Sequence, residues 1–205
     1  EHIELLGGVH QAFIRSLPHI GTPFYARYTT ITPQHPAPAK WTYDQALFGF
    51  PLVGALSRLH RLIHAFGQVE CVNCQTRYWN LEHDRYAGCL SKAQLQFKQG
   101  MSADVIYGKG EALWTAERKL EAQGDRGALI FEGEQGALID SNGASTIEVG
   151  ARRGLFTKDT SAVLDYLLDG TPLYVQPEES LYTLKVAIAA QRSAEQNQTI
   201  TIDSM

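Results

Sequence analysis

Cysteine is scarce in this sequence, with three residues among 205. A small, odd count excludes a disulfide framework and points to a reducing compartment, with the cytoplasm as the expectation. Basic charge is not in surplus either: 18 Lys and Arg stand against 22 Asp and Glu, a formal net charge of −4. That balance removes the electrostatic case for nucleic acid, and the densest basic step is only Ala151-Arg152-Arg153. No apolar run reaches bilayer-spanning length, so no membrane partner is expected.

A phosphate-cradling glycine fingerprint is also missing. Gly108-Lys109-Gly110-Glu111-Ala112-Leu113 supplies the first two glycines of GxGxxG and puts Leu113 where the third belongs. It precedes no convincing crossover helix, so this chain lacks the usual route to a dinucleotide. No elbow surrounds Ser57 or Ser161, which argues against nucleophilic hydrolysis. No second CxxC accompanies Cys71-Val72-Asn73-Cys74, and residues three apart in a strand point to opposite faces. There is no initiator Met. Glu1-His2-Ile3-Glu4 runs straight into a structured pattern, which reads as a domain cut from a longer protein, or as a processed or trimmed form.

What is present is an ordinary globular composition, 44% hydrophobic and 20% charged, organised around the stretch from Gly49 to Gly67. Leu52, Leu56, Leu59, Ile63 and Phe66 recur in steps of four and three, which predicts one buried helical stripe from Pro51 to Phe66. Ser57, His60, Arg61 and His64 then gather within about a quarter of the circumference on the other side. His60 and His64 stand one turn apart, as in a two-His metal clamp. Arg61 occupies the place of the glutamate that would follow the first His, and no third ligand is identifiable, so no metal is expected. An imidazole titrates near neutrality, which makes His60 a candidate for acid/base work or substrate hydrogen bonding, against the alternative of a solvated or capping histidine.

Along the chain, the pattern predicts a helix from Ile3 to Leu17, a strand from Phe24 to Ile31 and a proline-rich extended loop from Thr32 to Lys40. Strands follow from Gln68 to Trp79, in the later half of Tyr86 to Lys98, and from Ala103 to Tyr107. Glu111 to Gln123, with Leu113, Ala116 and Leu120, has helical character. Three short strands come next, Gly127 to Phe131, Gly136 to Ile139 and Thr146 to Val149, joined by glycine-bearing hairpin turns. Helices from Asp159 to Leu168 and from Leu181 to Glu195 lead to a last strand, Thr199 to Ile202. The sum is a single domain over residues 1–205 of α+β class. Its sheet is open and predominantly antiparallel, with helices packed on one face.

The closing third carries a resemblance. Gly127 to Ile139 forms a glycine-bracketed hairpin, Val163-Leu164-Asp165-Tyr166-Leu167-Leu168-Asp169 ends in Gly170, and Leu184 to Ala194 includes a Ser193-Ala194 close. With Ile20-Gly21 before the first strand, this order resembles the C-terminal half of the Gfo/Idh/MocA family of NAD(P)-dependent sugar and polyol oxidoreductases. The N-terminal nucleotide-binding half has no counterpart in the sequence.

The resemblance implies a substrate-binding and oligomerisation domain whose NAD or NADP is held mainly by that other half. It implies a sugar, polyol or related substrate, and a homodimer formed through the sheet face. It places Gly49 to Gly67 at the substrate side, with His60 or Arg58 polarising or protonating the substrate and Lys40, Trp41, Ser57 and His64 lining it. The family's Asp–His pair is incomplete, since no Asp lies between Gly49 and Gly67. By itself, the chain is expected to be inactive. The rival expectation is a non-enzymatic binding or assembly module that lacks a cofactor domain.

Overall fold

The computed structural model describes residues 2–150 and 153–204, so Ala151 and Arg152 of the basic step lie outside the described residues. A 3-10 turn at Ile3–Leu6 leads into helix α1 (Gly8–Ser16), and a second such turn at Leu17–Ile20 delivers the chain to strand β1 (Pro23–Pro33). After a 3-10 turn at Trp41–Tyr43 come three short helices in succession, α2 (Gln45–Phe48), α3 (Pro51–Gly54) and α4 (Leu56–Phe66). Strands β2 (Val69–Trp79), β3 (Gly88–Phe97), β4 (Ser102–Gly110), β5 (Glu117–Gly124), β6 (Gly127–Glu132), β7 (Gln135–Asp140) and β8 (Gly143–Ile147) follow. Helices α5 (Leu155–Asp169) and α6 (Pro177–Gln196) precede the short strand β9 (Ile200–Thr201).

The nine strands form one sheet in the order β8-β7-β6-β5-β1-β4-β3-β2-β9. β1 and β4 run parallel, and every other paired neighbour is antiparallel. The α+β class with a mostly antiparallel open sheet is therefore as the sequence pattern requires. Helices α1, α4 and α6 cover one face, and the core between them is aromatic. Phe13 meets Phe66 and Phe131 edge-on at 6.0 and 5.9 Å, and Phe66 meets Phe97 at 5.9 Å. The other face is polar along its centre, where Tyr25 donates to Asp104 at 2.8 Å and Arg27 pairs with Glu121 at 3.1 Å. No described helix is long and apolar enough to cross a membrane.

Several expectations need correction. The helix from Ile3 to Leu17 is split at an extended Gly7 into a 3-10 turn and α1, and the last helix begins at Pro177 rather than Leu181. Glu111 to Gln123 is not helical: it is a turn followed by β5, because Leu120 must pair with Tyr28 across the sheet and enter the core. The helix from Pro51 to Phe66 is broken at Ala55 (φ −106°, ψ 38°), where the Phe48 ring packs so close to Gly54 that a Cβ there would lie 2.6 Å from it. The helix over Asp159 begins earlier, at Leu155, so Asp159 is not a cap and instead accepts a hydrogen bond from the Tyr174 hydroxyl. Strand β8 starts three residues before Thr146, at Gly143, immediately after the Ser141-Asn142 turn.

Candidate active site

The helical break sets the site. It starts α4 at Leu56 with a new axis, so Arg58 occupies its first turn and Arg61 follows one turn later on the same side. Both reach Glu4, which the 3-10 turn at Ile3–Leu6 presents from the start of the chain. Arg58 Nη1 lies 3.3 Å from Glu4 Oε1, and Arg61 Nη1 lies 3.0 Å from Oε2. From the sheet, Arg118 at the head of β5 donates to both Glu4 oxygens, at 2.5 and 2.8 Å. Arg61 is buried and also donates to the Tyr28 hydroxyl at 3.0 Å.

One carboxylate thus sits among three guanidiniums, which leaves two positive charges uncompensated within the cluster. Burial alone would push the Glu4 carboxyl up, but the arginines, Arg58 and Arg118 foremost, outweigh it and hold it at about 2. Beside the cluster a small cleft of about 80 Å³ is lined by Glu4, Gly7, Arg61, Arg118, Gly133 and Leu155, with Glu134 on its wall. That volume suits one carboxylate-bearing arm of a ligand, not an extended molecule. Arg58 Nε is buried and without a partner among the described residues. A cationic, under-compensated group beside a small cleft is built to receive an anion.

The histidines lie on the next flank of α4. The polar strip predicted there is not a wet face: His60 is 1% and Arg61 3% exposed, because α1, α6 and the first 3-10 turn close over them. His60 Nδ1 is 2.7 Å from the Thr183 hydroxyl on α6, and the His2 ring stacks on His60 at 3.9 Å. His64, exposed, shares a 3.1 Å contact with His10 of α1. Burial draws His60 down to about 4 and His10 to about 2, with neighbouring cations adding to the effect at His10.

Their pH consequence has a definite sign. These imidazoles are held neutral in the folded chain and take up protons on unfolding below their ordinary 6.5, so stability drains as pH falls from 6.5 toward 4. Glu4 adds a second loss below its ordinary 4.5, as pH approaches 2. Thermal melting across this range should fall in both windows, with His60→Asn reducing the upper loss. A melting temperature flat between pH 6.5 and 4 would contradict the burial of these rings.

Ser57 accepts a 3.4 Å hydrogen bond from Arg58 Nη1. Lys40 and Trp41 lie exposed on the loop before α2, and the Trp41 ring meets Phe48 at 5.9 Å. Phe48 in turn stacks on Tyr107 at 6.4 Å, and the Arg58 guanidinium opposes the burial that pushes the Tyr107 hydroxyl up. Trp41 is therefore joined to the neighbourhood of Arg58 through two rings. Sequence reasoning missed Glu4 and Arg118, whose partners lie far away along the chain. It also missed Lys109, whose Nζ sits 3.5 Å over Phe48 and donates to the Thr42 carbonyl; burial brings its amine down to about 8. Lys109 holds Phe48 from below, and Phe48 makes the break that places Arg58.

Neither the Gly108-Lys109-Gly110 segment nor the start of α6 forms a cradle for a dinucleotide phosphate. Gly108 and Gly110 are ladder residues of β4, and a Cβ at Gly110 would lie 2.1 Å from the Ala87 carbonyl oxygen, so no cradle opens there. The N-terminus of α6 carries Glu178 and Glu179, which repel phosphate. Among the described residues no group of three His, Cys, Asp or Glu is placed to hold a metal ion.

The model of the oxidoreductase family's C-terminal alpha/beta domain (GFO_IDH_MocA_C) matches residues 18–202. Among solved structures, the chain is similar to a biliverdin reductase from Synechocystis sp. PCC 6803, crystallised with biliverdin and NADP+. Identity is 53% and the TM-score 0.93, over 95% of this chain and 62% of that one. An aldose-aldose oxidoreductase from Caulobacter crescentus, complexed with glycerol, shares the fold at 15% identity and a TM-score of 0.83, over 98% of this chain and 62% of that one. An oxidoreductase from Agrobacterium radiobacter, in complex with NAD+, L-tartaric acid and magnesium, does so at 17% and 0.78, over 100% and 65%. The chain thus spans less than two thirds of each of these structures. No curated protein matches it.

Proposed function

The chain belongs to the Gfo/Idh/MocA oxidoreductase family as its C-terminal α/β domain, and from that premise we propose that it forms the substrate side of an NAD(P)H-dependent reductase acting on a biliverdin-type linear tetrapyrrole. The observation that carries this reading is 53% identity over 95% of the chain to a biliverdin reductase. The structures crystallised with glycerol and with L-tartaric acid reach only 15 to 17%, which speaks for the fold alone. A tetrapyrrole therefore takes the place of the sugar or polyol that the resemblance by itself implies.

The site's chemistry supports this choice. A biliverdin is planar, conjugated and carries two propionate carboxylates. Arg61 and Arg118 line the cleft beside the cluster, and Arg58, paired to the same Glu4, adds a third positive charge, so the cluster is suited to receive one of them there. The Arg58 guanidinium polarises the bound ligand, while Ser57 steadies the guanidinium by accepting from its Nη1. His60, buried and held neutral, positions α4 against α6 through Thr183 rather than meeting the ligand. Trp41, Lys40 and His64 belong to the outer walls. The dinucleotide is held outside these residues, so this chain's share is binding, orientation and charge. Self-association through the open sheet face remains part of the proposal, as the family resemblance implies.

The test is spectroscopic. Joined to its nucleotide-binding half and given NADPH, the protein should convert the long-wavelength absorption of biliverdin to the shorter-wavelength band of the reduced rubin. NADPH oxidation with aldoses or polyols but not with biliverdin would overturn the reading.

A further inference from the structure

Trp114 is 83% exposed, yet it is not loose. The His35 imidazole stacks on one face of the indole, with centroids 4.5 Å apart and planes 26° from parallel. His35 is held in turn by a 2.8 Å contact between its Nε2 and the Glu111 carbonyl oxygen. The Glu111 carboxylate accepts from Ala37 N–H at 2.6 Å, and Glu111 N–H donates to Ala87 O at 3.0 Å. Leu113 N–H donates back to Gly110 O at 3.3 Å. Two loops are thus tied together beneath one large aromatic ring. One face of that ring is covered and the other is bare.

An exposed indole costs hydrophobic free energy, and most surface loops avoid it. Here four hydrogen bonds tie the two loops and the His35 imidazole that stacks on the ring, so the bare face has a fixed backing. Its place in the fold links it to the site. Trp114 and Arg118 are four positions apart in the chain, which sets an upper limit of about 14 Å between their Cα atoms. In the sheet, Thr30 pairs with Arg118 on one side and Tyr107 on the other, so this loop rises at the end of the sheet that holds the arginine cluster. Bare aromatic area beside uncompensated positive charge matches a flat, conjugated, acidic ligand.

We propose that Trp114, backed by His35, is a stacking platform for one ring of the substrate, and that it selects an extended planar ligand over a compact polyol. The proposal rests on the tetrapyrrole reading and adds a specificity residue to it. Pyrrole rings and indoles share the π-face that offset stacking uses, and four linked rings can bridge from the indole to the arginines.

The test uses the complete reductase, nucleotide-binding half included, with biliverdin as the probe. Trp114→Ala should raise KM for biliverdin about tenfold, with the loss falling on KM rather than kcat and KM for NADPH unmoved. Trp114→Phe should recover most of the loss, and biliverdin should quench a component of tryptophan fluorescence that this variant lacks. Normal biliverdin turnover with an unchanged KM in Trp114→Ala would overturn the platform and leave the reductase reading intact. A change in oligomeric state, or in KM for NADPH, would also overturn it, by assigning the indole to a second copy or to the cofactor domain. Absence of biliverdin reduction by the unmodified protein would mark the failure of the parent reading, and the platform falls with it.

Discussion

Replacing Arg58 by Gln should lower kcat/KM for a biliverdin-type substrate by about 100-fold, the scale of one lost charge-assisted hydrogen bond in a partly closed site. Arg58 is suited to the role because it is committed to so little else. Its side chain is 20% exposed, it meets Glu4 at 3.3 Å, and its Nε has no partner among the described residues. Glu4 keeps Arg61 and Arg118 when Arg58 is lost, so the fold should be disturbed by only about 1 kcal/mol or less. Arg58→Lys restores the charge but not the planar fork and should recover only part of the activity.

The pH profile separates this account from one centred on His60. A guanidinium does not titrate between pH 6 and 9, so the deficit of Arg58→Gln should be the same throughout that range. An essential His60 would instead make turnover follow an imidazole titration. Steady-state kinetics across that range, with both variants, decide between them.

Arg61 carries the opposite balance of effects. It is 3% exposed, donates to Glu4 and Tyr28 at 3.0 Å each, and approaches His10 Nδ1 at 3.5 Å. Arg61→Met removes the cation and leaves three polar groups short of a partner in the interior. Breaking a buried pair from one side costs about 3–5 kcal/mol. For a chain of this length, that corresponds to a fall in Tm of the order of 10 °C. Urea denaturation of the variant checks it, and a loss below about 1 kcal/mol would show the network to be dispensable. Arg58 and Arg61 therefore stand one turn apart on α4, the first more open and less committed, the second buried and tied to the fold.

Much of the fold was legible because its signals are local. Val72, Cys74, Ala93 and Leu95 alternate with polar neighbours and could only be half-buried strands. Asn142-Gly143 marks its hairpin, and Pro51 marks a helix start. What misled was Leu113, Ala116 and Leu120, whose helical spacing has no common cause. Leu113 folds back onto Gly108, Ala116 is exposed, and Leu120 enters the core from β5. That strand is central, and Leu120, Glu121 and Ala122 are buried in succession, so no alternation survives to announce it.

The site was legible in part. The helix from Pro51 to Phe66 was visible, but its break was not, because the cause is Phe48 packed against Gly54 with Lys109 below. The histidine pair drew attention, yet its surroundings come from α1 and α6, and only tertiary packing shows that His60 is sealed. Glu4 is 54 residues from Arg58 and 114 from Arg118, a separation across which no spacing rule operates. Trp114 and Arg118 were concealed by the same false helix.

The central claim is that the arginine cluster receives a carboxylate of the substrate, and one comparison tests it most directly. Biliverdin and its dimethyl ester share the tetrapyrrole and differ at the two propionates, where the ester carries methyl groups in place of negative charge. The account predicts that the complete reductase discriminates against the ester by about 100-fold in kcat/KM, and that Arg58→Gln abolishes most of this discrimination because both changes remove the same interaction. Equal kcat/KM for acid and ester in the unmodified protein, or a full and additional penalty from the ester in Arg58→Gln, would contradict it.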